Sequence, residues 1–230
     1  MAIRIDGTAL AAKVKARAAE GGRALSRRPG LAVILVGDDP ASRVYVTGKE
    51  KDCAECGFVS FEHKLPAETS QETLLKLIGR LNRDDAVDGI LVQLPLPGHL
   101  DEEAVLNAID PEKDVDCFHP VNVGRLVIGS PVFLPCTPAG VMEMLKEYDI
   151  PVRGKQCVVL GRSNIVGKPM GALLLQQDGT VITCHSRTPD LAKYTREADI
   201  LISAVGRVGL VSADMVKEGA VVIDVAMNRN

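Results

Sequence analysis

The sequence predicts an α/β protein with two domains, each built on a parallel sheet. Its second half contains short apolar runs separated by polar segments, at residues 157–160, 180–185, 199–205 and 220–225. Runs of this length are typical of strands that are buried on both faces of a parallel sheet. Strand and helix patterns also alternate through the first half, which predicts a second parallel sheet with right-handed crossovers.

The domain boundary is expected after residue 136, so the predicted domains are residues 1–136 and 137–230. A helix predicted over residues 139–148 would connect them. Neither half is large enough to hold a large ligand alone. We therefore expect the two domains to flank a cleft in which a cofactor and a substrate meet.

The bulk composition excludes several classes of protein. The chain has 230 residues, 46% of them hydrophobic, and a formal net charge of -3. These values exclude a disordered or fibrous chain and give no reason to expect nucleic acid or an anionic membrane as a partner. Charged residues interrupt the first twenty positions, and no apolar run approaches the length of a membrane span, so we expect a soluble cytoplasmic protein.

Capping and turn residues set the elements of the first half. Thr8 is expected to cap the first helix, Asp39 and Pro40 to open the second, and a capping box from Thr69 to Glu72 to open the third. The predicted elements are a helix over 9–25, a strand over 31–36, a helix over 41–56, a strand over 58–63, a helix ending near 81, a strand over 88–93 and a helix over 102–109.

A glycine-containing turn follows the strand at residues 157–160. Gly161 and Gly167 would let the backbone approach a ligand, and a helix is predicted from residue 170. The first N–H groups of a helix lack intrahelical partners and carry the positive end of its dipole, so a phosphate or pyrophosphate is expected there. The spacing departs from the standard dinucleotide fingerprint, and an ordinary strand-to-helix turn remains the alternative.

The residues after the next strand indicate which dinucleotide would bind. An NAD site usually carries a carboxylate at the end of this strand to bind the ribose hydroxyls. Here Ser186 and Arg187 occupy the strand end, and Arg162 lies in the preceding turn. Cations and hydroxyls suit a 2'-phosphate, so the sequence favours a Rossmann-type domain that binds NADP rather than NAD. Surface arginines without a ligand are the alternative.

Polar residues in the first half could carry chemistry. Tyr45 and Lys49 are four apart on one predicted helix and share a face. Together they could position a substrate and move protons, although a solvated lysine beside a half-buried tyrosine would look the same. Gln93 ends a strand, and Asp114 and Asp116 lie in a loop; each could reach into a cleft or serve only as a local hydrogen-bond partner.

Cysteine usage gives no strong signal for a metal. Cys53 and Cys56 spell C-x-x-C, but the sequence offers no second pair and no nearby pair of histidines. We interpret all six cysteines as small core residues in a reducing compartment and predict no metal site.

Six segments together resemble the methylenetetrahydrofolate dehydrogenase/cyclohydrolase family, often called FolD. They occur in the family's order from one end of the chain to the other. The matching segments are residues 36–49, 88–97, 113–120, 135–138, 161–169 and 184–187.

The resemblance implies a function in one-carbon metabolism that also serves purine biosynthesis. Such an enzyme would oxidise 5,10-methylenetetrahydrofolate to 5,10-methenyltetrahydrofolate with NADP, and then hydrolyse the product to 10-formyltetrahydrofolate. It would be a cytoplasmic homodimer, with tetrahydrofolate derivatives bound by the first domain and NADP by the second.

The resemblance also implies roles for individual residues. Lys49 would be the catalytic amine, Tyr45 would help to position folate, Gln93 would tune Lys49 and Asp116 would hold the pterin ring. Substrate contacts would further include Leu94 and Pro95. The implied NADP-binding residues are Gly161, Arg162, Ser163, Ile165, Val166, Ser186, Arg187 and Thr137.

Two substitutions and the chain end depart from the family. Cys117 and Ala226 stand where the family usually has glycine, so a Cβ is expected to shift either loop if φ is positive there. The family normally continues beyond residues 228–230 with a loop and a closing helix, and we expect the chain to be a truncated form.

Three rival functions remain open. One is a dehydrogenase without cyclohydrolase activity, which would accumulate the methenyl product. Another is a non-catalytic nucleotide-binding or scaffold protein, which would bind NADP without turnover. The third is another two-domain NADP enzyme, such as a shikimate dehydrogenase, which would share the second sheet but not the segments of the first domain.

Overall fold

The computed structural model describes residues 2–227, except for the side chain of residue 41. The expected chain end at residues 228–230 lies outside this range. The chain divides into two compact units, residues 1–122 and 123–230. The boundary expected after residue 136 lies within the second unit and stays a prediction.

The first unit contains a parallel sheet of three strands in the order β2-β1-β3. Its elements are α1 (Gly7–Arg23), β1 (Gly30–Val36), α2 (Pro40–Cys56), β2 (Val59–Leu65), α3 (Gln71–Asn82), β3 (Gly89–Val92) and α4 (Glu102–Asn107). A further helix, α5 (Pro120–Val127), includes the point at which the chain passes into the second unit.

The start of α2 confirms its sequence signals. Asp39 accepts a hydrogen bond from the N–H of Ser42 at 2.8 Å, Pro40 occupies the first turn, and Gly57 ends the helix in the left-handed region with φ of 75°. A proline suits the first turn because the N–H that it lacks has no partner within a helix.

Two other predicted caps are wrong by one or two residues. The Asp6 carboxylate caps α1 by accepting from two backbone N–H groups, in place of Thr8. Ser70 caps α3, whereas the Thr69 hydroxyl donates to the carbonyl of Pro66 at 2.7 Å. In both cases a polar residue one or two positions away provides the capping oxygen.

The two faces of the first sheet are covered by different helices. Ala32, Ile34 and Val36 pack with the apolar face of α3, while Val33 and Leu35 pack with Val46 of α2. The alternation follows from the two-residue period of a strand. The chain that leaves β1 therefore crosses one face, and the chain that enters β3 crosses the other.

The second unit contains a parallel sheet of four strands in the order β5-β4-β6-β7. Its elements are α6 (Cys136–Glu147), β4 (Gln156–Leu160), α7 (Gly167–Gln176), β5 (Thr180–Cys184), α8 (Leu191–Thr195), β6 (Ile200–Ser203), a 3-10 turn (Ala213–Met215) and β7 (Val221–Asp224). All four strands fall on the predicted apolar runs.

The second sheet repeats the winding of the first. Val158 and Leu160 pack on the face that carries α8. A Cβ on Gly171 of α7 would contact Val181 and Thr183, which point to the opposite face. Helices on both faces and a parallel sheet confirm the predicted α/β fold class for both units.

Some features differ from the prediction. Helix α7 begins at Gly167 rather than residue 170, and α5 was not predicted. None of the six cysteines forms a disulfide. Cys53, Cys117, Cys157 and Cys184 are buried, but Cys56 is half-buried and Cys136 is exposed, so the prediction that all six are core residues is wrong for these two. No helix in the described part of the chain has the length and apolar character needed to cross a bilayer.

Candidate functional site

The Lys49 amine and the Gln93 amide meet at the carboxyl end of the first sheet. Lys49 Nζ donates to Gln93 Oε1 at 3.1 Å, and both side chains are half-buried. The backbone of Gln93 extends the sheet, since its N–H donates to the carbonyl of Ile34 at 2.8 Å. Its Nε2 donates to the Leu94 carbonyl at 2.8 Å. Both ends of the amide therefore have partners, and its oxygen is held toward the lysine.

The placement of this pair follows from the winding of the sheet. Lys49 lies on α2, which follows β1, and Gln93 follows the neighbouring strand β3. The chain segments attached to these strands cover opposite faces, which leaves a crevice between their carboxyl ends. This is the position at which open α/β sheets bind ligands, and here it carries the predicted amine.

Asp116 reaches the same site from a loop that runs beside β3. The N–H of Ile90 donates to the Lys113 carbonyl at 2.7 Å, and Ile90 forms a parallel bridge with Asp114. Burial raises the pKa of the half-buried Asp116 carboxyl; the positive charge of Lys49 acts in the opposite direction and the negative charge of Asp114 in the same one. The structure thus brings Lys49, Gln93 and Asp116 into one electrostatic environment.

The remaining predicted substrate contacts border this group. Tyr45 precedes Lys49 by one helical turn and is 44% exposed. Leu94 is half-buried and Pro95 is exposed, and the peptide bond between them is cis. A partly exposed ring, an amine, an amide and a carboxyl can together bind a flat heterocycle with several donors and move a proton to or from it.

Cys117, directly after Asp116, has the positive φ at which a residue other than glycine is strained. Its φ is 59° and its side chain is 0% exposed. From the sequence, we expect this loop to shift if φ is positive, and φ is positive. The Cβ of Cys117 thus occupies a position where glycine would be free of strain. Ala226 differs, since it is not among the described non-glycine residues with positive φ.

The turn after β4 depends on two glycines for its shape. Gly161 has φ of 113°, and a Cβ there would lie 3.0 Å from the carbonyl oxygen of Ala204, which follows β6. A Cβ on Gly167 would lie 2.3 Å from the carbonyl oxygen of Gly161. The backbone is thus packed against itself too closely for any side chain at Gly167.

Ser163 corrects the simplest form of the anion-site prediction. Its Oγ accepts from the N–H groups of Val166 and Gly167 at 3.2 and 3.3 Å, and its carbonyl accepts from Lys168. The first N–H groups of α7 are therefore not open to a ligand. The helix begins at Gly167, three residues before the predicted start, and Ser163 occupies its first N–H groups. Among the described residues no backbone hydrogen bond is donated by residues 162–165, and these residues of the turn are exposed.

The end of the neighbouring strand β5 carries the predicted polar groups. Ser186 and Arg187 are exposed in a turn that is closed by a hydrogen bond from the His185 N–H to Thr188 Oγ1 at 2.9 Å. Arg162 is exposed at the end of the adjacent strand β4. No carboxylate lies in this turn, so the residues present fit a phosphorylated ribose.

The remaining predicted cofactor contacts are Ile165, Val166 and Thr137. Ile165 is exposed and Val166 half-buried within the turn after β4. Thr137 is exposed in the first turn of α6, and no hydrogen bond among the described residues links its side chain to residues 161–167. No group of three or more potential metal ligands was found in the part of the chain that the structure describes.

The sequence reasoning missed one residue next to the site. Asn122 is 0% exposed and donates to the Asp114 carboxylate at 2.9 Å. The only available signal was a polar residue among the apolar positions of residues 120–127, which were not predicted to be helical.

Comparison with known proteins agrees with this arrangement. Residues 5–116 match the model of the tetrahydrofolate dehydrogenase/cyclohydrolase catalytic domain. Residues 135–230 match the NAD(P)-binding domain of the same family. The two matches cover most of the chain and fall on the two sheets described above.

Individual relatives extend the comparison over nearly the full chain. The bifunctional protein FolD of Acetivibrio thermocellus is 64% identical over 87% of this chain and 70% of its own length. The crystal structure of the bifunctional FolD of Campylobacter jejuni has a TM-score of 0.96 at 52% identity, covering 98% of this chain and 82% of that one.

A further solved structure is that of FolD from Trypanosoma brucei in complex with NADP and an inhibitor. It has a TM-score of 0.94 at 44% identity, with 99% of this chain and 80% of that one covered. Since both halves match the family models and a curated relative is 64% identical over 87% of this chain, the chain belongs to the tetrahydrofolate dehydrogenase/cyclohydrolase family.

Proposed function

We propose that this chain oxidises 5,10-methylenetetrahydrofolate to 5,10-methenyltetrahydrofolate with NADP, and then hydrolyses the methenyl group to give 10-formyltetrahydrofolate. The observation that carries the proposal is the 3.1 Å hydrogen bond from Lys49 Nζ to Gln93 Oε1 at the ligand-binding edge of the first sheet. An amine held by a neutral amide can exchange protons with a bound substrate while keeping a fixed position.

The chemistry of the substrate suits these residues. Loss of a hydride from the one-carbon bridge leaves an amidinium-like cation, which water must then attack. Gln93 contributes an oxygen dipole without a full charge, and Asp116 has a raised pKa because of burial. Lys49 can assist the proton transfers that accompany the addition of water and ring opening.

The roles of single residues are part of the proposal. Lys49 is the catalytic amine, and Gln93 fixes and tunes it through their hydrogen bond. Asp116 holds the pterin, and Tyr45 supports its ring from the preceding turn of α2. Leu94 and Pro95 line the path by which the chain leaves β3 and form the remaining contacts with substrate.

NADP accepts the hydride when bound to the second unit. The proposed contacts in the turn are Gly161, Ser163, Ile165 and Val166. The N–H groups of Gly161 and Val166 donate to the Cys184 carbonyl and to Ser163 Oγ, so those of Ser163 and Ile165 would hold the pyrophosphate. The side chains proposed to bind the 2'-phosphate and the rest of the nucleotide are those of Arg162, Ser186, Arg187 and Thr137.

The proposal is tested by incubating the purified chain with 5,10-methylenetetrahydrofolate and NADP and following NADPH, the methenyl product and 10-formyltetrahydrofolate together. We expect NADPH and the formyl product to form in equal amounts. Accumulation of the methenyl product would indicate a dehydrogenase alone, and NADP binding without NADPH formation would indicate a non-catalytic protein.

Assembly and location also belong to the proposal. We expect a homodimer in the cytoplasm, on the basis of the family resemblance and of six thiols that are unpaired with one another. Light scattering coupled to gel filtration would give the mass in solution, and a monomer at micromolar concentration would contradict the dimer.

A further inference from the structure

The loop that delivers Asp116 is closed by a buried polar pair. Asp114 is 2% exposed and Asn122 is 0% exposed. Asn122 Nδ2 donates to Asp114 Oδ2 at 2.9 Å and to the Pro111 carbonyl at 2.7 Å. A buried carboxylate persists only where hydrogen bonds replace its lost hydration, so this pair constrains the chain on both sides of the loop.

The same carboxylate also binds the far side of the loop through the backbone. Asp114 Oδ1 accepts from the N–H of Phe118 at 3.2 Å, and Oδ2 accepts from the N–H of His119 at 2.9 Å. The Asp114 carbonyl accepts from the N–H of Cys117 at 3.2 Å. The segment 114–119 is thereby a closed loop with Asp116 at its tip.

The near side of the loop is fixed to the sheet and to α3. The N–H of Ile90 in β3 donates to the Lys113 carbonyl. Lys113 Nζ donates to the carbonyls of Leu81 and Asp84 at 3.2 and 2.8 Å. Lys113 is thus anchored at both its backbone and its side chain. The path that follows is set by the contacts of Asp114 together with Val115, which packs on the sheet.

We propose that Asp114 and Asn122 are positioning residues that hold the loop 114–119 so that the Asp116 carboxyl is presented beside Lys49. The proposal rests on the function proposed above and adds two residues to its machinery. Neither needs to contact the substrate. The positive φ of Cys117 is a consequence of the same closure, since the chain must reverse between Asp116 and the N–H groups that Asp114 binds.

The pair also sets the charge around Asp116. The negative charge of Asp114 raises the pKa of Asp116, in the same direction as burial. Replacing Asp114 with the isosteric asparagine removes this charge and weakens the bonds to the backbone N–H groups. Asp116 should then titrate at lower pH. Because greater solvation of Asp116 would also lower its pKa, the same titration in Asn122→Ala, which keeps the Asp114 charge, is the comparison.

The first test measures steady-state kinetics of Asp114→Asn. We expect kcat/KM for methylenetetrahydrofolate to fall about tenfold through a displaced Asp116, with an unchanged KM for NADP. Asp110→Asn is the matched control, since Asp110 lies in the preceding turn and accepts only locally, from the Glu112 N–H at 2.9 Å. A folded Asp114→Asn protein with the wild-type kcat/KM for methylenetetrahydrofolate would overturn the inference.

The second test does not depend on turnover. The carboxyl of Asp116 is titrated by carbon NMR in the wild type and in Asp114→Asn, with Asp116→Asn used to assign the signal. A lower titration midpoint supports the inference, and an unchanged midpoint overturns it. If the wild-type protein did not convert methylenetetrahydrofolate, the proposed function would be contradicted, whereas the titration of Asp116 would still test the positions of the two residues.

Asn122→Ala serves as a second variant in case Asp114→Asn does not fold. It removes one donor and leaves the two backbone bonds of Asp114 in place. We expect a smaller rise in the KM for folate than in Asp114→Asn, again without a change in the KM for NADP. Kinetics identical to the wild type in a folded Asn122→Ala protein would overturn the role of the pair.

Discussion

The two units share one winding but differ in the groups at the carboxyl edges of their sheets. In each sheet the first strand is central, with the second strand on one side and the third on the other. Each therefore has a crevice between its first and third strands. The first unit fills that position with side chains, Lys49 and Gln93. The second closes it with backbone, since Gly161 packs directly against the carbonyl of Ala204.

The helix that follows the first strand shows the reason for the difference. Helix α2 is capped by the Asp39 carboxylate, which already neutralises the positive helix start. Helix α7 is capped by the neutral oxygens of Ser163. A phosphate would be repelled by the first and tolerated by the second. The capping residues and the glycines thus differ between the two units in the way that the proposed proton transfer and the proposed dinucleotide binding require.

The largest expected effect comes from removing the amine of the first unit. In Lys49→Met the hydrolysis of methenyltetrahydrofolate should fall by about 100-fold or more, because general acid–base catalysis contributes on this scale. NADP binding, measured by fluorescence titration, should not change. Lys51→Met, an exposed lysine on the same helix, is the control. Wild-type hydrolysis by folded Lys49→Met would refute the catalytic role.

The corresponding change in the second unit acts through backbone packing. In Gly167→Ala the new Cβ meets the Gly161 carbonyl, and we expect a loss of about 1–3 kcal/mol in the free energy of unfolding. NADP affinity should weaken about tenfold with it. Denaturant unfolding and NADP titration measure the two effects.

Gly171→Ala in the same helix is the matched comparison, because its Cβ would make ordinary contacts at 3.6 and 3.7 Å. There, alanine should stabilise the helix by up to about 1 kcal/mol. Equal stability of the two alanine variants would show that close packing of the turn is not what the second unit requires.

A third prediction concerns the cations of the second unit. Replacing Arg162 or Arg187 with serine should weaken NADP binding about tenfold each, since a charge-assisted hydrogen bond contributes about 1.5–3 kcal/mol. NAD lacks the 2'-phosphate, so its affinity should be unaffected. Arg153→Ser is the control, because Arg153 pairs with Asp178 on the surface at 2.8 Å. Parallel losses for NADP and NAD would contradict a 2'-phosphate site.

The smallest expected effect concerns the strained residue of the first unit. Cys117→Gly should change the free energy of unfolding by less than about 1 kcal/mol, because relief of about 1–2 kcal/mol at positive φ offsets the loss of a buried side chain. Cys117→Ala keeps the strain and loses the sulfur, so it should be less stable than Cys117→Gly. The reverse order in denaturant unfolding would show that φ at this residue carries little strain.

Periodicity and turn chemistry in the sequence were sufficient to locate the strands of both sheets and to identify α2 with its cap. The pairing of Lys49 with Gln93, 44 positions apart, was implied by the family resemblance. Periodicity alone predicted only that the carboxyl ends of the parallel strands meet at one edge of the sheet. The sequence also showed that no carboxylate follows β5, because the residue types at a predicted strand end can be read directly from it.

Tertiary structure alone decided which of several suitable polar groups find partners. Ser70 rather than Thr69 caps α3, and Ser163 occupies the helix start that was assigned to a ligand. Asn122 lies in a short helix without a distinctive pattern, yet its partner Asp114 is buried with it. Hydrogen-bond partners depend on the loop path to within an ångström, and the packing of the whole unit sets that path, which local sequence cannot specify.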